Sequence, residues 1–159
     1  MRFEHLVQIN DPLNPLLDPL TRAQLWRGLV LRAEQPMQFV LGLAGCVIRT
    51  RAADAEKTTL TRTLDFGGFR VHDRVDLTPQ RCSQTHTDAG PTWPASRLTI
   101  TIEEPQPDML FLRFVYEFEG EDETGEAATE TDALRRQAYK SADLDTVYRL
   151  RALAESDRL

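Results

Sequence analysis

The sequence predicts an α+β fold: a curved antiparallel sheet of about seven strands wrapped around a long C-terminal helix, with two short helices after the first strand. Three observations carry this. The elements read in the order strand, helices, six strands, long helix. The segment "TLTRTLDFGGFRVHDRVDL", residues 59–77, alternates apolar and polar side chains about Gly67-Gly68, as a half-buried hairpin must. The C-terminal segment carries an apolar stripe at helical spacing. A sheet with one apolar face and a helix with one apolar stripe bury both by facing each other. The 159 residues suit a single domain, 1–159.

Taken in order, "RFEHLVQIN" alternates Phe3, His5, Val7 and Ile9 against Glu4, Leu6, Gln8 and Asn10, the pattern of a strand with one more apolar face. "DPLNPLLDP" holds three prolines and cannot continue a sheet. "TRAQLWRGLVLRAEQP" opens with a Thr21-x-x-Gln24 capping box and stops before Pro36. Its Leu25, Trp26, Leu29, Val30 and Ala33 follow helical spacing, so Trp26 is read as packing. A second helical turn fits "PMQFVLG". The strands "GCVIRTRA", "KTTLTRTLDF", "GFRVHDRVDL", "RCSQTHTD", "SRLTITIEE" and "MLFLRFVYEFEG" then follow with turn residues between them, an antiparallel meander. "EFEGEDETGEAATETD", residues 117–132, has no apolar period and is expected as a solvated acidic loop. "TDALRRQAYKSADLDTVYRLRALAESDRL" closes the chain as a helix with Tyr139, Ala142, Thr146, Leu150 and Leu153 on its stripe.

Composition excludes several classes. A net charge of -6 and dispersed Lys and Arg argue against nucleic acid as a partner. No run approaches the roughly 18 apolar residues of a membrane span, and "MRFEHLVQIND" lacks the apolar centre and cleavage site of a signal peptide. A cytoplasmic location is expected. Cys46 and Cys82 lack C-x-x-C spacing, and Cys82 with His86 supplies two ligands where a metal site needs more, so neither metal nor cofactor is expected. There is no Gly-x-Ser-x-Gly, phosphate loop or dinucleotide fingerprint.

The hairpin raises the sharpest question. With a two-residue loop, Phe66 faces Phe69, Leu64 faces Val71, Arg62 faces Asp73 and Leu60 faces Val75, all eight on one face. A slip by one residue would turn Leu64, Phe66 and Val71 outward, so the pattern itself opposes it. Arg62 and Asp73 are therefore expected inward and paired, since an unpaired buried charge costs several kcal/mol. Either they form a structural ion pair, or they present a guanidinium edge to a carboxylate, phenolate or carbonyl of a ligand. His5, Phe114 and Tyr116 share the inner face, and the last helix offers Tyr139 beside the small Ala142 and Thr146. Small residues against a curved sheet leave a gap suited to an apolar ligand, unless large sheet residues fill it. His5 reads as a hydrogen-bonded core residue or as an acid or base. His72 reads as solvent-facing, and Trp93 in "GPTWPAS" as a cap on the sheet edge or a residue at a cavity mouth.

The "FEHLVQIND" opening, "TLDFGGFRVHDRV", "LTITIEEPQPDMLFLRFVYE" and "KSADLDTV" resemble the AtaL-like group of the START-like (SRPBCC) superfamily over essentially the whole chain. That superfamily shares the helix-grip fold of the plant pollen allergens. The resemblance implies a deep cavity between sheet and C-terminal helix, used across the superfamily for lipids, sterols, polyketides and hormones; it transfers no catalytic residue. The expected function is binding of an apolar small molecule, lipid-, polyketide- or aromatic-like, by His5, Arg62, Asp73, Phe114, Tyr116, Tyr139, Ala142 and Thr146. The alternative is a cyclase- or hydrolase-type enzyme acting in the same cavity, with His5, Tyr116, Tyr139 and Arg62-Asp73 as acid, base and carbonyl-polarising groups. A homodimer through outward Phe111 and Val115 is compatible with either.

Overall fold

The chain runs β1 (Arg2–Gln8), α1 (Arg22–Glu34), a 3-10 turn (Pro36–Gln38), β2 (Gly45–Ala53), β3 (Thr58–Asp65), β4 (Arg70–Thr78), β5 (Cys82–Thr87), β6 (Ser96–Gln106), β7 (Met109–Phe118) and α2 (Glu126–Glu155). This is a computed structural model, and it describes residues 1–120 and 124–159. The seven strands form one antiparallel sheet in the order β1-β7-β6-β5-β4-β3-β2. Strands β2 to β7 are a meander, and β1 pairs beside β7 at the far edge.

The β3–β4 hairpin adopts the register its alternation demands, with Leu60 opposite Val75, Arg62 opposite Asp73 and Leu64 opposite Val71. Gly67 takes φ +91, the left-handed conformation that the first position of such a turn needs and that a side chain resists. The Phe66 N–H donates to the Phe69 carbonyl at 3.0 Å, and the two rings stack at 5.1 Å. Trp93 packs on the exposed Phe69 with ring centroids 5.5 Å apart, so it braces the hairpin tip.

Helix α1 begins with both halves of the Thr21–Gln24 capping box formed and ends at Glu34, with Gln35 as its cap before Pro36. It crosses α2 closely at Gly28: a Cβ there would meet Leu150 Cδ2 at 2.2 Å, so any larger residue would oblige the Leu150 side chain to shift. Leu25 and Leu29 thereby join Val147 and Leu150 over Leu60, Val75, Ile100, Ile102 and Leu112, and Trp26 belongs to the same core.

Two expectations need correction. The acidic stretch 117–132 is no single loop: Glu117 and Phe118 finish β7, residues from Glu126 onward start α2, and 121–123 lie outside the described residues. The first turns of α2 are almost wholly exposed, so they carry no apolar period to read, and Ala and Glu suffice to make them helical. The buried stripe of α2 is also rotated. Asp143, Thr146, Val147, Leu150 and Leu153 are buried, while Ala142 is exposed. Among the described residues no helix is long and apolar enough to cross a membrane.

Candidate functional site

The core fills one end of the space between sheet and helices. Toward the hairpin tip, where the cover over the strands is the end of α1, the segment after it and the first half of α2, a cleft of ≈ 260 Å³ remains. Its apolar wall comes from Leu64 and Phe66 of the hairpin, Val71, Leu98 and Phe118, with Val40 and Leu43 from the segment after α1. Its polar groups include Arg32, Arg62, Asp73, Tyr116 and Tyr139. Roomier hollows lie outside. One of ≈ 580 Å³ on the convex face is open to solvent and bordered by polar residues alone, Arg49, Thr61, Thr63, His72, Arg74 and Asp88, with Arg62 and Asp73 also reaching it. The cleft is the smaller space but the one walled by apolar side chains, which is what a ligand site requires.

Arg62 and Asp73 lie on its floor, inward and buried. The guanidinium grips the carboxylate as a fork, Nε to Oδ1 at 2.8 Å and Nη2 to Oδ2 at 2.6 Å. Its third direction is used as well, since Nη1 donates to the Ala33 carbonyl in the last turn of α1 at 2.7 Å. The arginine thus ties the hairpin to a helix C-terminus whose free carbonyls attract a cation. With Nε, Nη1 and Nη2 each donating within the protein, little of the guanidinium edge is left over for a ligand.

A second polar group closes the opposite wall. The Tyr116 hydroxyl donates to Asp143 Oδ1 at 2.5 Å, and His5 Nδ1 lies 3.2 Å from Asp143 Oδ2. Because an ionised carboxylate only accepts, both partners donate to it. Burial raises the Asp143 carboxyl above the ordinary carboxylate range, against the hydrogen bonds from Tyr116 and His5 and the charge of Arg32. Burial, reinforced by the Asp143 charge, holds the Tyr116 phenol far above its usual value. Tyr139 stacks on Tyr116 at 4.3 Å and 18°, and Phe3 stacks behind both. Among the described residues the Tyr139 hydroxyl engages no protein partner, and burial raises its phenol as well.

Of the eight side chains singled out from sequence, Arg62, Asp73, Tyr116 and Tyr139 line the cleft. His5 stands behind Tyr116, joined to it through Asp143, while Phe114 and Thr146 are sealed into the interior away from the cleft. Ala142 faces outward, because the helix turns about 100° per residue and Asp143 takes the inward place. Two residues were missed, Asp143 and Arg32. Both carry the same overlooked signal, a charge on an apolar helix face. Asp143 falls four residues after Tyr139 and three before Thr146, and Arg32 falls seven after Leu25 and three after Leu29.

Arg32, like the Tyr139 hydroxyl, stands apart from the paired polar groups of the cleft. Its Nε is enclosed with no hydrogen-bond partner, and among the described residues no carboxylate pairs with it. Burial lowers its pKa and Arg62 lowers it further, while Tyr116, Asp143 and Asp73 act in the opposite sense. Its place in the last turn of α1 gives it the helix dipole. That is worth about 0.3–1 kcal/mol, and because the side chain is only partly buried, the cost falls on the enclosed Nε, which has neither water nor a protein acceptor.

The family model described as acetylaranotin biosynthesis cluster protein L matches residues 7–157. No curated protein matches the sequence. Among solved structures, the di-domain ARO/CYC StfQ from the steffimycin biosynthetic pathway aligns with a TM-score of 0.68 at 10% identity, over 98% of this chain and 51% of that one. This chain therefore spans about half of that protein. The Zhui aromatase/cyclase from Streptomyces sp. R1128 aligns at 0.61 and 13% identity, over 98% and 93% of the two chains. A START superfamily protein from Mycobacterium smegmatis aligns at 0.58 and 13%, over 98% and 97%. At these identities the likeness is one of fold.

Proposed function

The chain belongs to the AtaL family of the START-like superfamily, and we propose that it binds an apolar small molecule, aromatic or polyketide-like, in the cleft between the sheet and α2. The observation that carries this reading is the lining. Leu64, Phe66, Val71, Leu98 and Phe118 form an apolar wall facing a Tyr116–Tyr139 stack, and an aromatic ring would lie against such surfaces with its faces covered. The aromatase/cyclases that share the fold support an aromatic ligand. The volume lies just below the roughly 300–1,000 Å³ of drug-sized pockets, which favours a compact ligand.

The test is occupancy of the cleft. Protein stripped of ligand should bind an uncharged environment-sensitive dye such as Nile red, and native mass spectrometry of protein taken from its own host should reveal a retained small molecule. Leu98→Trp, which fills the cleft, should abolish dye binding while the protein stays folded. Equal dye binding by the filled variant would overturn the reading.

One observation favours a cyclase-type enzyme as the second reading: Tyr116 lines the cleft and is joined through the Asp143 carboxylate to His5, a hydrogen-bonded chain of three titratable groups. If the protein converts a polyketide-like substrate, Tyr116→Phe should remove most of that turnover and leave ligand affinity within about threefold, since the phenol's bond points at Asp143. Turnover unaffected by Tyr116→Phe and by His5→Gln would remove this chain from any reaction.

A further inference from the structure

We propose that Arg32 is the anion receptor of the cleft, taking the carboxylate or phenolate oxygen of a compact aromatic acid whose ring lies against Tyr116 and Tyr139. This rests on the cleft-binding reading above and adds the charge of the ligand to it.

Of the other two cations that line the cleft, Arg62 is held by Asp73 and the Ala33 carbonyl, and Arg97 pairs with Glu117 through Nε and Nη2 at 3.2 and 2.9 Å. Asp73 has both oxygens held by the Arg62 fork. Asp143 has one oxygen on Tyr116 and the other against His5. Neither neighbouring carboxylate turns to Arg32, whose Nε is enclosed and unpartnered although its side chain lines the cleft. The contrast with Arg62, in the same cleft and from the same kind of residue, is complete: that guanidinium donates in three directions to protein. Arg149 also has an enclosed Nε, yet its Nη2 donates to Gln38 and it takes no part in the cleft. Arg32 is partly exposed as a residue, but an enclosed polar nitrogen such as its Nε normally has a partner. Here the partner that fits is a planar anionic oxygen group, which matches the guanidinium fork better than a neutral carbonyl does. The unpartnered Tyr139 hydroxyl, also at the cleft, provides a second donor for the same end of the ligand.

The probes are 2-naphthoate and its uncharged counterpart of the same shape, 2-naphthamide, titrated calorimetrically into ligand-free protein. The wild type should bind naphthoate about tenfold or more tightly than naphthamide, the range of one charge-assisted hydrogen-bonded contact. Arg32→Met should erase that preference, keep naphthamide binding within about threefold, and melt no lower than the wild type, since it removes a charge the empty protein leaves unpaired. Arg32→Lys should retain part of the preference, having the charge without the fork. A wild type that binds both probes equally, an Arg32→Met variant that keeps the preference, or one that melts well below the wild type would overturn the assignment while leaving the cleft as a binding site. Failure of both probes and of the uncharged dye would remove the cleft-binding reading, and this inference with it.

Discussion

The two ends of the sheet are built from the same strands and finish differently. Along β3 the inward residues are Leu60, Arg62 and Leu64; along β4 they are Val75, Asp73 and Val71. Leu60 and Val75 are sealed in the core, Arg62 and Asp73 mark the boundary, and Leu64 and Val71 border the cleft. β6 and β7 repeat the sequence, from Ile102 and Leu112 at the filled end to Leu98 and Tyr116 at the open one. The strands do not differ; the cover does. The body of α1 and the second half of α2 press on the filled end, meeting at Gly28, whereas the other end is reached by Arg32 from the last turn of α1, Val40 and Leu43 after it, and Tyr139 from the first half of α2. Alternation decides which face of a strand is inward, and the helices decide whether that face is filled.

The boundary is where this contrast breaks most readily. Asp73→Ala leaves the Arg62 guanidinium buried without its counter-charge and should lower stability by about 3–5 kcal/mol, read as a fall in the urea midpoint at constant m. A loss below about 1 kcal/mol would mean that water reaches the pair. Arg62→Met combined with Asp73→Leu should recover most of the loss, falling short by about 1 kcal/mol for the Ala33 carbonyl that loses its donor. At the filled end, Leu112→Ala should cost about 3 kcal/mol, because packing from both helices prevents collapse around the lost side chain.

The opposite wall gives a smaller, pH-dependent effect. Asp143 has a folded-state pKa above its ordinary value because it is buried. The native state then binds this proton more tightly than the unfolded chain, so the contribution of Asp143 is most favourable below the ordinary carboxylate pKa and declines as pH rises through the raised folded value. Relative to Asp143→Asn, the wild type should therefore lose about 1 kcal/mol per pKa unit of that shift across this window and stay level above it. A difference that grows in the wild type's favour with rising pH would contradict the burial argument. Smallest of all, Leu98→Ala at the open end should cost about 1 kcal/mol or less, since the space beside Leu98 is already empty. A cost equal to that of Leu112→Ala would show that the two ends are packed alike.

The legibility of the molecule from sequence follows the same division. The meander and its inward face could be read because the strand period is two and Gly67-Gly68 pins the register, which placed Arg62 opposite Asp73. Helix faces are less constrained. Neighbouring positions such as Ala142 and Asp143 stand about 100° apart, and only the strand beneath selects between them. The apolar pattern favoured the alanine; Tyr116 and His5, from β7 and β1, take the aspartate instead. Arg32 was passed over for the same reason, since a charge on an apolar face looks like an interruption until the cleft beneath it is known.

The pairing of β1 with β7 has a consequence for how the chain is made. Phe3 lies opposite Tyr116 and Gln8 opposite Phe111, so roughly a hundred residues separate partners that every other strand finds next door. At about 5–20 residues per second, a nascent β1 waits on the order of 5–20 seconds for its partner strand to be synthesised. Throughout that wait it is an unpaired apolar strand, the kind that recruits other chains. Arg2 and Glu4 are then the charges that discourage such recruitment; once folded, Glu4 pairs with both Arg2 and Arg113. Replacing both by Thr should leave the melting temperature of the finished protein nearly unchanged while moving newly synthesised chains into the insoluble fraction.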